Sequence, residues 1–192
     1  MKKSYLAALV VALGVAAFGA AGCTKPDEPQ QPRDNAASNS AGQAAAPQPP
    51  QTASTVVNDL KMRLAERPDD PELLRGLGDA YFELKQFNEA ITYYMKALDK
   101  KPGDADIYNE LGLALHYTNN SREALRYIDE GIKKNPYHQR IWLTKGFILA
   151  YGMGDLDAAR AAWEKANALN PESQIGKAAG EFLAKFNKKS QR

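Results

Sequence analysis

The sequence predicts an all-α solenoid of stacked helical hairpins, and three recurrences predict it. Pro68, Pro102 and Pro136 stand 34 residues apart, and Pro171 follows after 35. Gly78, Gly112 and Gly146 keep the same period. So do larger residues: Leu74, Tyr108 and Trp142; Tyr81, Leu115 and Leu149; and Tyr94 and Ile128, with Trp163 following after 35. Self-similarity at a fixed period of this length marks a repeat array, in which each unit buries an apolar face against its neighbour.

The elements follow in chain order. Met1-Lys2-Lys3-Ser4 is a basic start, and Tyr5 to Phe18 is an uncharged apolar run. That run is shorter than the ~20 residues a helix needs to cross a bilayer, so residues 1–22 read as a secretory signal. Small residues, Gly19-Ala20-Ala21-Gly22, then lead to Cys23, the single cysteine, which leaves no partner for an intrachain disulfide. This arrangement resembles the lipobox of bacterial lipoproteins, although Ala20 stands where such motifs usually carry Leu. The resemblance implies that Cys23 is acylated, becomes the new N-terminus and holds the protein in a membrane. The alternative is an ordinary signal peptide cut within Gly19 to Gly22, leaving Cys23 as a free thiol. Thr24, where an Asp would favour the inner membrane, implies by the same resemblance an outer-membrane anchor facing the periplasm of the bacterial cell envelope.

Residues 23–54 read as a disordered tether rich in Pro, Gln and Ala. Prolines occupy positions 26, 29, 32, 47, 49 and 50, and from Thr24 to Ser54 there is no aromatic, Leu, Ile, Val or Met. Such a segment buries too little apolar surface to offset the entropy of ordering it. As a coil it spans roughly 30 Å.

Residues 55–70 form an unpaired opening helix, because Leu60, Leu64 and Pro68 share the phase of Tyr94, Leu98 and Pro102. Hairpins then occupy residues 71–104, 105–138 and 139–173. In the first, Leu74, Leu77, Gly78 and Tyr81 have the i, i+3, i+4, i+7 spacing of one helix face. Ala90, Tyr94, Ala97 and Leu98 do the same on the second helix. Gly78 and Ala90 let the two helices approach, and a proline after each second helix ends it for want of an amide proton. Lys145 departs from the leucines at Leu77 and Leu111: either its stem lies along apolar surface with the ammonium reaching solvent, or the third repeat is looser. The residue that lengthens the third unit falls in Tyr151-Gly152-Met153-Gly154, where two glycines widen the turn. Residues 174–188 form a capping helix with Ile175, Ala178, Ala179, Phe182 and Phe186 on one face. Lys185, Lys188 and Lys189 suit its carboxyl end, and residues 189–192 are a basic tail.

The run Leu77-Gly78-Asp79-Ala80-Tyr81, with Ala90, Tyr94, Ala97-Leu98 and Pro102 behind it, resembles the tetratricopeptide (TPR) signature, and two further copies follow. The resemblance implies a right-handed superhelical TPR solenoid of about three helical hairpins, opened by a half-repeat helix and closed by a capping helix. It also implies that the first helix of each pair lines a concave surface. Positions there that do not serve the repeat are candidates for peptide binding: Arg75, Asp79 and Phe82; Asn109, Leu113, His116 and Tyr117; Leu143, Phe147 and Tyr151. The Lys/Asn/Arg clamp with which some TPR domains grip a terminal carboxylate is absent, since Asp79, Leu113 and Phe147 occupy its central row. Tyr117, Phe147 and Tyr151 either line an open groove for an extended segment or amphipathic helix or pack against neighbouring helices.

Other chemistries find little support. A net charge of +2 with 25% charged residues gives no field for nucleic acid. His116 and His138 are the only histidines, and their spacing fits no metal motif. No nucleophile, base and orienting group fall together, and no glycine-rich loop cradles a phosphate or cofactor. We therefore expect neither enzyme activity nor a small-molecule substrate. The expectation is a membrane-anchored adaptor for a protein or peptide partner in the envelope. The opening helix and Arg67-Pro68-Asp69-Asp70-Pro71 are similar to TPR modules of cytochrome c maturation proteins, which implies the alternative of holding apocytochrome. A pilotin-like lipoprotein for secretin or pilus assembly is the other alternative.

Overall fold

A computed structural model describes residues 53–187, and every regular element among them is helical. The order is α1 (Ala53–Glu66), α2 (Pro71–Glu83), α3 (Phe87–Lys100), α4 (Ala105–Tyr117), α5 (Ser121–Lys134), α6 (Gln139–Ile148), a π-helical turn (Leu149–Met153), α7 (Leu156–Leu169) and α8 (Gln174–Asn187). The signal segment, Cys23, the tether up to residue 52, and residues 188–192 lie outside the described residues. Helix α1 begins at Ala53, so the last two residues assigned to the tether are helical; alanine is the best helix former, and composition alone does not mark this boundary.

Local chemistry sets each start. The Asp70 carboxylate accepts from the amides of Glu72 and Leu73 at 3.0 and 3.2 Å, with Pro71 in the first turn. Asp104 caps α4 through the Asp106 amide, and Asp155 caps α7 through the Ala158 amide. At α6 the cap is His138, whose Nδ1 accepts from the Ile141 amide at 3.3 Å. Helices α3 and α5 carry no side-chain cap. They start after tight turns whose hinge residues, Lys85 (φ 59°) and Asn119 (φ 65°), are left-handed.

The third turn explains its extra residue. In the first two hairpins the amides of Gln86 and Asn120 donate to the carbonyls of Tyr81 and Leu115, five residues back. In the third, the Asp155 amide donates to Leu149, six residues back. The π-helical turn absorbs the insertion, leaving Gly154 as the left-handed hinge (φ 75°). Gly152 does more than widen the turn: a Cβ there would lie 2.3 Å from Ser121 Oγ and 2.9 Å from His116 Nδ1, so the turn is pressed against the second hairpin.

Within hairpins the repeating glycines are packing sites. A Cβ on Gly78, Gly112 or Gly146 would come within 2.4, 2.7 and 2.3 Å of Tyr94, Ile128 and Trp163 respectively. Those three large side chains are themselves buried beside Ala90, Ala124 and Ala159. Lys145 is partly covered, donating to Asp129 Oδ1 at 2.7 Å with its ammonium 5.5 Å from the Trp142 ring. Helices α2, α4, α6 and α8 touch one another in succession, whereas contacts between successive second helices are slight. The first helices therefore form the inner layer of the array, and α8 closes its end.

Candidate functional site

Three residues of the pattern fix which side chains face inward from the first helices. Counting from the repeat glycines, the inner rows are Arg75, Asn109 and Leu143; Asp79, Leu113 and Phe147; Phe82, His116 and Ala150; and Glu83, Tyr117 and Tyr151. These rows fall into two zones.

The first zone is polar and centres on α2 and α4. Arg75 donates through Nε to Glu110 Oε2 at 3.0 Å and through Nη2 to Oε1 at 3.3 Å, a two-point bridge between adjacent first helices. Tyr94 of α3 donates its hydroxyl to Asp79 Oδ1 at 2.8 Å. Because His138 Nδ1 accepts from a backbone amide, its Nε2 carries the proton that is shared with Asp106 Oδ1 at 2.9 Å. Burial and the nearby Asp79 push the Glu110 carboxyl up to about 7, more than Arg75 pulls it down. Burial also raises the Asp79 carboxyl, against the Tyr94 hydrogen bond and the Arg75 charge. Asn109 is 3% exposed, and its Oδ1 has no hydrogen-bond partner.

The second zone is aromatic and runs across all three hairpins near the carboxyl ends of the first helices. Phe82 and Phe87 meet edge to face at 5.2 Å, and Tyr117 stacks on Phe87 at 4.9 Å. Tyr117 touches His116 at 5.7 Å, His116 meets Phe147 at 5.3 Å, and Phe147 meets Tyr151 at 4.8 Å. Tyr151 then meets Phe186 of α8 at 6.0 Å. His116 shares a hydrogen bond with Ser121 Oγ at 2.8 Å, and burial lowers its pKa, so the ring is neutral at pH 7.

The ten candidate residues thus separate. Arg75, Asp79 and Asn109 belong to the polar zone, and Phe82, His116, Tyr117, Phe147 and Tyr151 to the aromatic row. Leu113 and Leu143 are half-buried between them, Leu143 packing with the core of the third hairpin and α8. The aromatics pack on one another and, through Tyr151, on Phe186 of α8, and each is partly buried. Glu110, Phe87 and Phe186 complete the two zones and were not among the candidates. Spacing gave no signal for Glu110, which lies 35 residues after Arg75, one beyond the 34-residue separation of neighbouring first helices.

No three His, Cys, Asp or Glu side chains among the described residues group closely enough to hold a metal ion. None of the described helices is long and apolar enough to cross a membrane.

A family model described as TPR repeat matches residues 78–118. Among solved structures, a thermophilic TPR protein of Thermus thermophilus is 22% identical with a TM-score of 0.62, covering 70% of this chain and 74% of that one. MamA is 21% identical with a TM-score of 0.58, covering 73% and 92%. The first TPR of Spaghetti (RPAP3), bound to the HSP90 peptide SRMEEVD, is 19% identical with a TM-score of 0.57, covering 64% and 94%. No curated protein matches the sequence significantly. The fold is an all-α TPR superhelix.

Proposed function

We propose that this protein is a non-catalytic adaptor of the bacterial envelope, held at the membrane through acylated Cys23, that grips a polypeptide along its inner face. The observation that carries the reading is the inner layer itself. Its non-pattern side chains form a continuous charged-then-aromatic band, and each aromatic of that band keeps part of its surface open. A structure of the same fold with a bound peptide supports a peptide as the ligand class. The basic start, apolar run and Cys23 support the anchor.

The apocytochrome and pilotin alternatives rest on weaker ground. Arg67 pairs with Asp70 at 2.8 Å and Asp70 caps α2, so the Arg67 to Pro71 segment is accounted for by helix capping. Crosslinking in intact cells followed by capture of the full chain tests the adaptor reading. We expect the Phe147→Ala/Tyr151→Ala double variant to keep its helical content and lose its crosslinked partner. Undiminished capture by that folded variant would overturn the use of the inner face. Cys23→Ser should move the protein from the membrane fraction to the soluble periplasm, and retention on membranes would overturn the anchor.

A further inference from the structure

The polar zone is incomplete as a self-contained network. Along α4, Asp106, Asn109, Glu110 and Leu113 have the i, i+3, i+4, i+7 spacing of a single face. Asp79 and Glu83 have the i, i+4 spacing of one face of α2, beside it. These side chains are rich in acceptors. Arg75 serves Glu110, Tyr94 serves one oxygen of Asp79, and His138 serves one oxygen of Asp106. Arg140 adds its charge to Asp79 only at longer range. The amide oxygen of Asn109 then remains without a donor although its side chain is almost wholly buried. A buried acceptor left unpaired costs on folding, and native structures rarely keep one without a use for it.

We propose that this acceptor-rich patch of α2 and α4, formed by Asp79, Asp106, Asn109 and Glu110, is a subsite for a cationic side chain, a guanidinium or ammonium group, of the bound polypeptide. The proposal deepens the adaptor reading and rests on it. Two arguments select the ligand. Charge complementarity is the first: three carboxylates, those of Glu110, Asp79 and Asp106, surround the guanidinium of Arg75. The second is donor count. A guanidinium or ammonium brings several N–H donors to a place that lacks one. The same segment then lays apolar residues on the aromatic row. From Glu110 to His116 and Tyr117 is six or seven residues of helix, roughly 10 Å at 1.5 Å per residue. An extended peptide covers that distance in about three residues. The recognised pattern is therefore a basic residue with an aromatic or aliphatic one about three positions away.

The test is capture of a randomised, end-blocked dodecapeptide library on the full chain, with the bound peptides sequenced. We expect several-fold enrichment of Arg or Lys about three positions from an apolar residue. That enrichment should be lost in the Asp79→Asn/Glu110→Gln variant while the apolar preference persists. A second measurement does not depend on the variant folding: 0.5 M NaCl should erase the basic preference of the wild-type chain and spare the apolar one. Apolar enrichment without basic residues, or with acidic ones, overturns the subsite and leaves the groove standing. No enrichment of any kind overturns the subsite and the groove together.

Discussion

In the first hairpin Tyr94 fills the gap beside Gly78, and its hydroxyl donates inward to Asp79 at 2.8 Å. In the third hairpin Trp163 fills the gap beside Gly146, and its indole N–H donates to the backbone carbonyl of Leu143 at 3.2 Å. One solution ties the second helix to a side chain facing the groove. The other ties it to the main chain and leaves the inner side chains apolar. The same contrast extends outward. The first hairpin shows Arg75, Asp79 and Glu83 to its inner face and is followed by another hairpin; the third shows Leu143, Phe147 and Tyr151 and is followed by a cap. Positions that hold the fold together vary little in shape between the two, and positions free of that duty have diverged in chemistry. A repeat fold separates the two roles, so each can be broken without the other.

The largest break should come at the capped end. Trp163 is fully buried, stacks on Phe182 at 4.8 Å and touches Phe186 at 5.1 Å, so it joins α7 to α8 as well as to α6. We expect Trp163→Ala to cost about 3–5 kcal/mol, a large share of the 5–15 kcal/mol that holds a typical domain folded. Urea unfolding of the full chain measures it. Loss of only about 1 kcal/mol would mean that α8 does not depend on this side chain and that the capped end is held elsewhere.

The opposite end is separated by its response to pH. Glu110 holds its proton up to about 7 in the folded chain against an ordinary value of 4.5. Between those values the folded state binds more protons than the unfolded one, so stability falls as pH rises and levels off above 7. Asp79, also raised, acts in the same sense. The charges packed around Glu110 are Arg75 and Asp79 on α2 and Asp106 on α4, and the Tyr94 phenol of α3 faces the same zone. Glu110→Gln should flatten this fall, improving stability relative to wild type at pH 8 compared with pH 5 by an amount on the order of 3 kcal/mol. Denaturation midpoints across that range are the measurement. Parallel pH profiles for the two proteins would show that Glu110 is ionised throughout and that its pairing with Arg75 dominates.

Much of this architecture was legible from residue spacing, and the reason is physical. Leu74, Gly78, Tyr94 and their counterparts occupy places where a helix must bury a face or let a neighbour approach, so their large apolar or small character repeats with the backbone. The two zones of the inner face were only half legible. Arg75, Asp79 and Phe147 stand at inward positions and are found by counting. Their partners are not: Glu110 reaches Arg75 from the next hairpin, Phe87 joins Tyr117 from the start of a second helix, and Phe186 reaches Tyr151 from the cap. Those pairings depend on how successive hairpins rotate, which no period in the chain records. The π-helical turn was hidden for a similar reason. An added residue is visible as a 35-residue spacing, but whether it lengthens a loop or widens a helix depends on what presses against it, here Ser121 and His116.

The smallest expected effect tests the comparison at its hinges. The three hairpin turns each place one residue in the left-handed region, and the chain uses Lys85 at the first, Asn119 at the second and Gly154 at the third. A Cβ in that conformation crowds the following carbonyl, costing roughly 1–2 kcal/mol for an ordinary residue, little for glycine. Lys85 is exposed, so replacing it removes no buried contact. Glycine also gives the unfolded chain more freedom, which offsets part of the relief. The net expectation for Lys85→Gly is a gain of about 0.5–1 kcal/mol, whereas Gly154→Ala at the corresponding place should lose about 1 kcal/mol despite open space around it. Opposite signs for the two substitutions would show that the turns are one device with different occupants. If Lys85→Gly destabilises the chain, the first turn is held by its side chain, and the hinge of the first hairpin differs in kind from that of the third.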